Sequence, residues 1–336
     1  MPLNVIDDTQ KVTLGPSGDG TYAKASGGTE MMAARINTII EENGLSSSVR
    51  VIHSRVRQLD EDKKNILVCH DLWEDPESRH LSDPELRKRF AKIVFVSHSQ
   101  YQGYHMGLGV PYADSAVIRN AIDPIELYTP KPSDKIRLIY HTTPHRGLEL
   151  LIPCMEELAK VHGDKIHLDV YSSFAAYGWE ERDTPYLGLF DRIKNHPQMT
   201  YHGYQPNDVV REALKQAHIF AYPNIWPETS CIAAIEAMSA GCEVVCPSFA
   251  ALPETTAGFA TMYPFTEDKS AHANVFVNEL NATIINRLNG THDNHRMDFA
   301  KTTRMAPIDA RTISLTNRDY NLNKWLKALH HPYMRV

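Results

Sequence analysis

The feature that most constrains the fold is a regular alternation of short apolar segments with longer helical ones. The apolar segments lack the in–out alternation of a half-exposed sheet, so each is predicted to be a strand buried on both faces. Strands of this kind, alternating with helices, form parallel sheets with right-handed crossovers. The predicted strands are VRVIH (49–53), NILVCH (65–70), KIVFVS (92–97), SAVIRN (115–120), IRLIYH (136–141), IHLDVYS (166–172), MTYHGY (199–204), HIFAYP (218–223) and EVVCP (243–247).

A proline-rich segment divides this pattern into two halves. IDPIELYTPKPSDK (122–135) has no apolar period, which is typical of a linker between domains. The sequence therefore predicts two doubly wound α/β domains with Rossmann-like parallel sheets. We place the first domain at 1–125, the linker at 126–135, the second domain at 136–305 and a C-terminal segment at 306–336.

Composition limits the functions open to such a chain. The net charge of −6 argues against the basic surface that nucleic acid requires. No apolar run approaches the ~20 residues of a membrane helix, and the polar, acidic start is unlike a secretory signal. The five cysteines lie in apolar stretches without paired metal spacing, as in a reducing compartment. We expect a cytoplasmic protein with no transmembrane segment and no metal site.

Ligands in parallel α/β folds bind outside the carboxyl ends of the strands, so the loops there are the candidate sites. In GGTE (27–30), Gly27 and Gly28 open a helix and let backbone N–H groups approach an anion or a sugar; tight turn geometry alone is the alternative. In YHTTPHRGLELL (140–151), Arg146 offers a bidentate fork to a diphosphate; an exposed arginine paired with water or an acid is the alternative.

Two further loops carry acidic or titratable groups. In PETSCIAAIEAMSAGCEVV (227–245), Glu236 borders the buried side of a predicted helix and needs partners, which the hydroxyls of a ribose would supply. Glu228 precedes that helix, and Ser230 lies near its start; a salt-bridged or solvated glutamate is the alternative for either acid. His70, at the end of a strand, suits donation to a sugar hydroxyl or proton transfer, with a structural histidine as the alternative.

Together these loops resemble the family 4 retaining glycosyltransferases of the GT-B fold. Glu228 and Glu236, followed by AMSAGCEVV and LPE (252–254), resemble the family's Glu-x7-Glu signature and its Pro-Glu loop. The resemblance extends over 136–256 and, more weakly, over 27–123; a C-terminal helix crossing back to the first domain is implied, for which NLNKWLKALHH (321–331) is the candidate. Other matching segments are TPHRGLELL (143–151) for the phosphate turn, RNAID (119–123) for the end of the first domain, YHGY (201–204) for the turn near the nucleotide base and GGTE for the glycine loop.

The resemblance implies a role for each matching residue. Glu236 would hold the donor ribose and Glu228 the donor sugar and its phosphate, while Arg146 would neutralise charge on the leaving nucleotide. Donor and reaction would also involve Gly27, Gly28, His70, Gly203, Thr229 and Ser230, the last two through backbone N–H groups. The family transfers its sugar with retention, by front-face attack and without metal. One departure is His141, where many members carry a cation.

The expected activity is transfer of a sugar from a UDP- or GDP-sugar to an acceptor, giving an α-linked glycoside. The acceptor, a glycan, a lipid-linked group or another molecule, is not defined by the sequence. Because the first domain is short, its acceptor site is either reduced or completed by a second subunit of a homo-oligomer. The alternatives to transfer are a sugar-nucleotide epimerase, a phosphorylase and a non-catalytic sugar-nucleotide-binding protein.

Overall fold

The structure is a computed structural model, which describes residues 19, 21, 25–126 and 129–291. The predicted C-terminal segment 306–336, with its candidate crossing helix at 321–331, lies outside the described residues. Within the described part of the chain, no helix has the length and apolar character needed to cross a membrane.

The first domain is built on a four-stranded parallel sheet in the order β1-β2-β3-β4. Strands β1, β2 and β3 are mostly buried, as their apolar runs predicted, whereas β4 at the edge of the sheet is only partly buried. Helix α1 covers one face with Met32, Ile36 and Ile40, and the other face packs against helix α3. The elements are α1 (Gly28–Glu42), β1 (Val49–His53), β2 (Lys64–Cys69), α2 (Pro84–Arg87), β3 (Lys92–Phe95), α3 (His98–Leu108) and β4 (Ser115–Val117).

The second domain is built on a six-stranded parallel sheet in the order β10-β9-β8-β5-β6-β7. All of its strand pairs are parallel, which confirms the predicted architecture of two doubly wound domains. The elements are β5 (Ile136–Tyr140), α4 (Leu148–His162), β6 (Ile166–Val170), α5 (Leu187–Lys194), β7 (Met199–Tyr201), α6 (Asn207–Gln216), β8 (Ile219–Ala221), α7 (Ile232–Ser239), β9 (Glu243–Ser248), α8 (Leu252–Thr256), β10 (Thr261–Pro264) and α9 (Lys269–Leu288).

The order of the second sheet reverses between β5 and β8. From β5 the chain moves outward through β6 to β7, then returns to the other side of β5 for β8, β9 and β10. The loops after β5 and β8 therefore leave the sheet side by side and open a crevice between them. Such a switch point is the usual ligand site of an open α/β sheet.

The predicted linker packs against the second domain. Ile122 and Ile125 belong to the hydrophobic core of that domain, and the Ile125 N–H donates to Ser239 Oγ over 2.9 Å. Lys131 Nζ is inserted between helix and strand, where it donates to the carbonyls of Leu214 and Ala217. The chain thus reaches the second domain before the predicted linker ends, while the domain boundaries themselves stay a prediction.

Five elements were not predicted: α2, α3, α8, β10 and α9. The LPE segment, expected as a loop, begins the short helix α8. The predicted strands are correct in position but several run too far, because residues such as His70 and His141 leave the sheet and enter the loops beyond it. All five cysteines are buried and unpaired, as predicted.

Candidate functional site

Glu228 lies at the switch point, in the loop after β8. It is buried, and its Oε1 accepts hydrogen bonds from Arg146 Nη1 and from the hydroxyl of Tyr222, which is itself fully buried. Within the described residues, no donor binds the other carboxylate oxygen, Oε2. One oxygen of Glu228 is thus held in place while the other faces an interdomain cavity of about 150 Å³.

Arg146 comes from the loop after β5, the other side of the switch point. Burial alone would lower its pKa, but Glu228 and the neighbouring tyrosines outweigh that effect and raise the pKa well above its ordinary value. The guanidinium therefore stays cationic beside the crevice. Gly147 follows at φ +114°, and a side chain there would overlap the Pro223 carbonyl, so only glycine lets the two loops meet.

Glu236 is almost fully buried on α7, as its position beside the apolar stripe predicted. Its expected partners were ribose hydroxyls, yet protein groups from α6 also bind it. Arg211 Nη1 donates to Oε1 over 2.9 Å, and Asn207 Nδ2 donates to Oε2 over 3.0 Å. A carboxylate can accept about four hydrogen bonds, so a ribose can still bind this one. Arg211 Nη2 also donates to the Asp123 carbonyl over 2.7 Å, which ties Glu236 to the chain between the domains.

The start of α7 presents unpaired backbone donors. Among the described residues, neither the N–H of Thr229 nor that of Ser230 has an acceptor. The next residue, Cys231, sits at φ +81°, a left-handed conformation that is uncommon for a side chain of this kind and turns the loop into the helix. Free N–H groups at a helix start favour an anion, and the role of these two residues in binding the diphosphate stays a prediction.

Two histidines in the loop after β5 are neutral. Burial lowers the pKa of His141 to about 3, and burial together with Arg146 and Arg182 lowers that of His145 to about 3. One buried ring nitrogen of each, His141 Nε2 and His145 Nδ1, has no hydrogen-bond partner. Buried groups of this kind usually bind water or another polar molecule.

His70 comes from the first domain and lies against the second. Its carbonyl accepts a hydrogen bond from Thr229 Oγ1 over 2.9 Å, and its Nε2 lies 3.1 Å from Nδ1 of the fully buried His53. Burial, aided by Arg55, lowers the pKa of His70 to about 3, and burial, aided by His70, lowers that of His53 to about 3. Since both rings are neutral, one donates to the other, and His53 fixes which nitrogen of His70 carries the proton.

The three predicted glycines lie where the domains approach each other. A side chain at Gly27 would overlap the ring of Tyr177, and one at Gly28 would lie 3.4 Å from Ile232 Cδ1. Gly203, at φ +65°, precedes Tyr204, whose hydroxyl lies 2.7 Å from Ser26 Oγ. The structure thus shows a contact role for these loops, and their role in donor binding stays a prediction.

Several residues at the site were not predicted: Tyr222, Asn207, Arg211, His53 and Arg119. Glu254 on α8 joins the domains: its Oε1 accepts from Arg119 Nη2 over 2.8 Å, and its Oε2 accepts from the His98 N–H over 2.8 Å at the start of α3. The Pro-Glu motif indicated this residue but not its partner. No group of three His, Cys, Asp or Glu side chains suited to a metal ion occurs in the described ranges.

The two facing parallel-sheet domains have the GT-B fold of glycosyltransferases. Residues 129–282, which include Arg146, Glu228 and Glu236, match the family described as "Glycosyl transferases group 1". That segment, slightly less than half of the chain, is similar to a glycosyltransferase domain, and the match supports an enzyme of the glycosyltransferase class. No curated protein sequence matches the chain.

Solved structures of low sequence identity share this fold. A glycosyltransferase from Rickettsia africae is 14% identical, with a TM-score of 0.61, and the match covers 90% of this chain and 81% of that one. HepE from Anabaena, in complex with UDP-glucose, is 14% identical with a TM-score of 0.57 and coverages of 80% and 73%. The pneumococcal O-GlcNAc transferase GtfA, in complex with UDP and GlcNAc, is 9% identical with a TM-score of 0.60 and coverages of 88% and 60%.

Proposed function

We propose that the protein is a retaining glycosyltransferase that moves a sugar from a UDP- or GDP-sugar to an acceptor and forms an α-linked glycoside. One observation carries the proposal: the unpaired N–H groups of Thr229 and Ser230, the cationic Arg146 and the open Oε2 of Glu228 occur together at the switch point. Complexes of HepE with UDP-glucose and of GtfA with UDP and GlcNAc support a nucleotide-sugar donor.

In the proposed complex, each part of the donor meets a different group. The ribose hydroxyls bind Glu236, which Asn207 and Arg211 already hold in place. The diphosphate accepts hydrogen bonds from the backbone at 229–230, while Arg146 balances its charge. The base lies near Gly203, with Gly27 and Gly28 facing the donor from the first domain.

The sugar then lies between Glu228 and His70. A carboxylate that is bound to both Arg146 and Tyr222 is a weak nucleophile, which supports a binding role for Glu228. His70, with its pKa near 3, exchanges a hydrogen bond with a sugar hydroxyl and does not act as a proton shuttle at neutral pH.

Retention follows from attack on the face that the nucleotide leaves. The bond between the anomeric carbon and the phosphate oxygen breaks while the acceptor oxygen bonds to the same face. The leaving phosphate oxygen takes the acceptor proton, and Arg146 with the backbone at 229–230 stabilises the charge that develops. We propose that this charge balance serves in place of a divalent metal ion, so transfer should continue in EDTA.

A thermal-shift panel of UDP- and GDP-sugars, without added metal, tests the donor. At least one should raise the melting temperature, and Glu236→Ala should abolish the shift. The matched control is Glu156→Ala, which removes a partly exposed carboxylate that pairs with Arg192 on the surface and should leave the shift intact. If no nucleotide sugar shifts the wild-type protein, the proposal is wrong.

Product analysis separates transfer from the alternatives. NMR of the product should show the anomeric configuration of the donor. An epimerase would release free sugar or nucleotide without an acceptor, a phosphorylase would transfer the sugar to inorganic phosphate, and a non-catalytic binding protein would yield no product. The cytoplasmic location and the homo-oligomer remain predictions.

A further inference from the structure

The interdomain cavity of about 150 Å³ lies between two different walls. The first domain contributes Trp73, Glu74 and Ser99, and the second contributes Pro227, Glu228 and Thr229. The groups proposed for the ribose, the base and the glycine loop do not line it. Of the proposed donor-binding residues, Glu228 and Thr229 line the cavity, so it adjoins the donor where the sugar meets the diphosphate, which is where an acceptor has to enter.

Trp73 packs directly against two glycines of helix α3. Gly103 and Gly107 are one turn apart on α3 and lie on the same face of the helix. A side chain at Gly103 would lie 2.6 Å from Trp73 Cδ1, and one at Gly107 would overlap the six-membered part of the indole. Two glycines therefore let the indole lie directly on the helix backbone, which keeps an aromatic surface at the cavity.

Two carboxylates, Glu228 and Glu74, bring hydrogen-bond acceptors to the cavity. Glu228 contributes its open Oε2, and Glu74 has no hydrogen bond or ion pair to any described residue. Thr229 Oγ1 is already bound to the His70 carbonyl. Because Arg146 balances Glu228, Glu74 leaves the cavity with net negative charge, which disfavours phosphate-bearing molecules.

An indole beside two carboxylates suits a ring that has an apolar C–H face and a rim of hydroxyl donors. That description fits a pyranose. The volume of the cavity, about 150 Å³, is enough for one six-membered ring. On the basis of the proposed function, we propose that this cavity is the acceptor site and that the acceptor is a neutral glycan whose terminal pyranose packs on Trp73 and donates to Glu74.

Initial rates with neutral p-nitrophenyl hexopyranosides, at a saturating concentration of the donor found in the thermal-shift panel, test this site. Trp73→Leu should raise the acceptor KM at least tenfold and leave the donor KM unchanged, while Trp73→Phe should keep most of the acceptor affinity. Glu74→Gln should raise the acceptor KM about threefold. Tyr112→Leu, an exposed aromatic of the same domain outside the cavity, is the control and should change neither constant.

Labelling with 5-fluorotryptophan gives a second measurement on the wild-type protein, which holds even if Trp73→Leu does not fold. The ¹⁹F resonance of Trp73, assigned through Trp73→Phe, should shift when the pyranoside is added, while that of Trp179 should not. An unchanged Trp73 resonance, an unchanged acceptor KM in Trp73→Leu, or a preference for pyranoside phosphates would overturn the acceptor proposal. These outcomes leave donor binding intact, whereas failure of the proposed function appears as no nucleotide-sugar binding at all.

Discussion

Replacing Arg211 tests how much its ion pair with Glu236 contributes to stability. The side chain of Glu236 is 3% exposed and that of Arg211 is 18% exposed, so Arg211→Met leaves a buried carboxylate without its ion-pair partner. Breaking a buried pair in this way costs about 3–5 kcal/mol. Asn207 still donates to Glu236, and the charge of Arg35 acts on it as well, so we expect the lower end, about 3 kcal/mol.

Urea unfolding measures this loss, and a double-mutant cycle assigns it to the pair. Glu236→Gln removes the charge, and Arg211→Met should then cost little more, which gives a coupling energy of about 2 kcal/mol. Arg192→Met is the matched control, because Arg192 pairs with Glu156 at 45% and 29% exposure. An exposed pair of that kind contributes less than about 1 kcal/mol.

The same variant should weaken the donor. Without Arg211, the Glu236 carboxylate loses its fixed position, and the nucleotide Kd should rise about tenfold, or about 1.4 kcal/mol. Arg192→Met should leave the Kd unchanged. The reasoning is refuted if Arg211→Met stays within 1 kcal/mol of the wild type, or if Arg211→Met and Glu236→Gln add within about 0.5 kcal/mol.

Three further predictions follow from single contacts. Tyr222→Phe removes a hydrogen-bond donor from Glu228, so the unfolding free energy should fall by about 2 kcal/mol and kcat about tenfold. Urea unfolding and initial rates measure these two quantities, and unchanged values of both would show that the hydroxyl is dispensable. Gly147→Ala places a side chain against the Pro223 carbonyl at φ +114° and should cost about 3 kcal/mol or more in urea unfolding, whereas Gly188→Ala, which meets open space, should cost far less. Burial lowers the pKa of His53 to about 3 in the folded protein, whereas the unfolded chain titrates near 6.5. The unfolding free energy should therefore be highest above pH 6.5 and fall by up to about 1.4 kcal/mol per pH unit as the pH drops toward 3. His53→Phe should reduce this slope between pH 7 and 5, whereas the control Val51→Ala should lower the unfolding free energy equally at both pH values.

The apolar runs of the sequence were sufficient to place nine of the strands, because a strand buried on both faces must be apolar throughout. They did not mark where strands end, since the residues that follow directly in the chain, such as His70 after β2 and His141 after β5, already belong to the loops. Helix α3 was missed because HSQYQGYHMGL has little apolar character. It depends instead on Ser97, whose side chain caps its start, and on the indole that packs over its glycines.

For the candidate site, too, the sequence predicted some features and missed others. The burial of Glu236 follows from its place on one helix, which helical spacing reveals. Its partners Asn207 and Arg211 are one turn apart on α6. The sequence shows this spacing, but it does not show that both side chains bind Glu236. Tyr222 and His53 lie among apolar strand residues, so the sequence did not reveal their roles. Only the packing of the strands against the loops brings the Tyr222 hydroxyl to Glu228 and the His53 ring nitrogen to His70.

Hydrogen exchange with and without a nucleotide sugar tests the central claim most directly. If the donor is held at the switch point between both domains, amides in 141–147 and 227–236 of the second domain should gain protection together with those in 70–75 of the first. Glu236→Ala should remove this protection under the same conditions. Protection confined to one domain, or protection that survives in Glu236→Ala, would contradict the account.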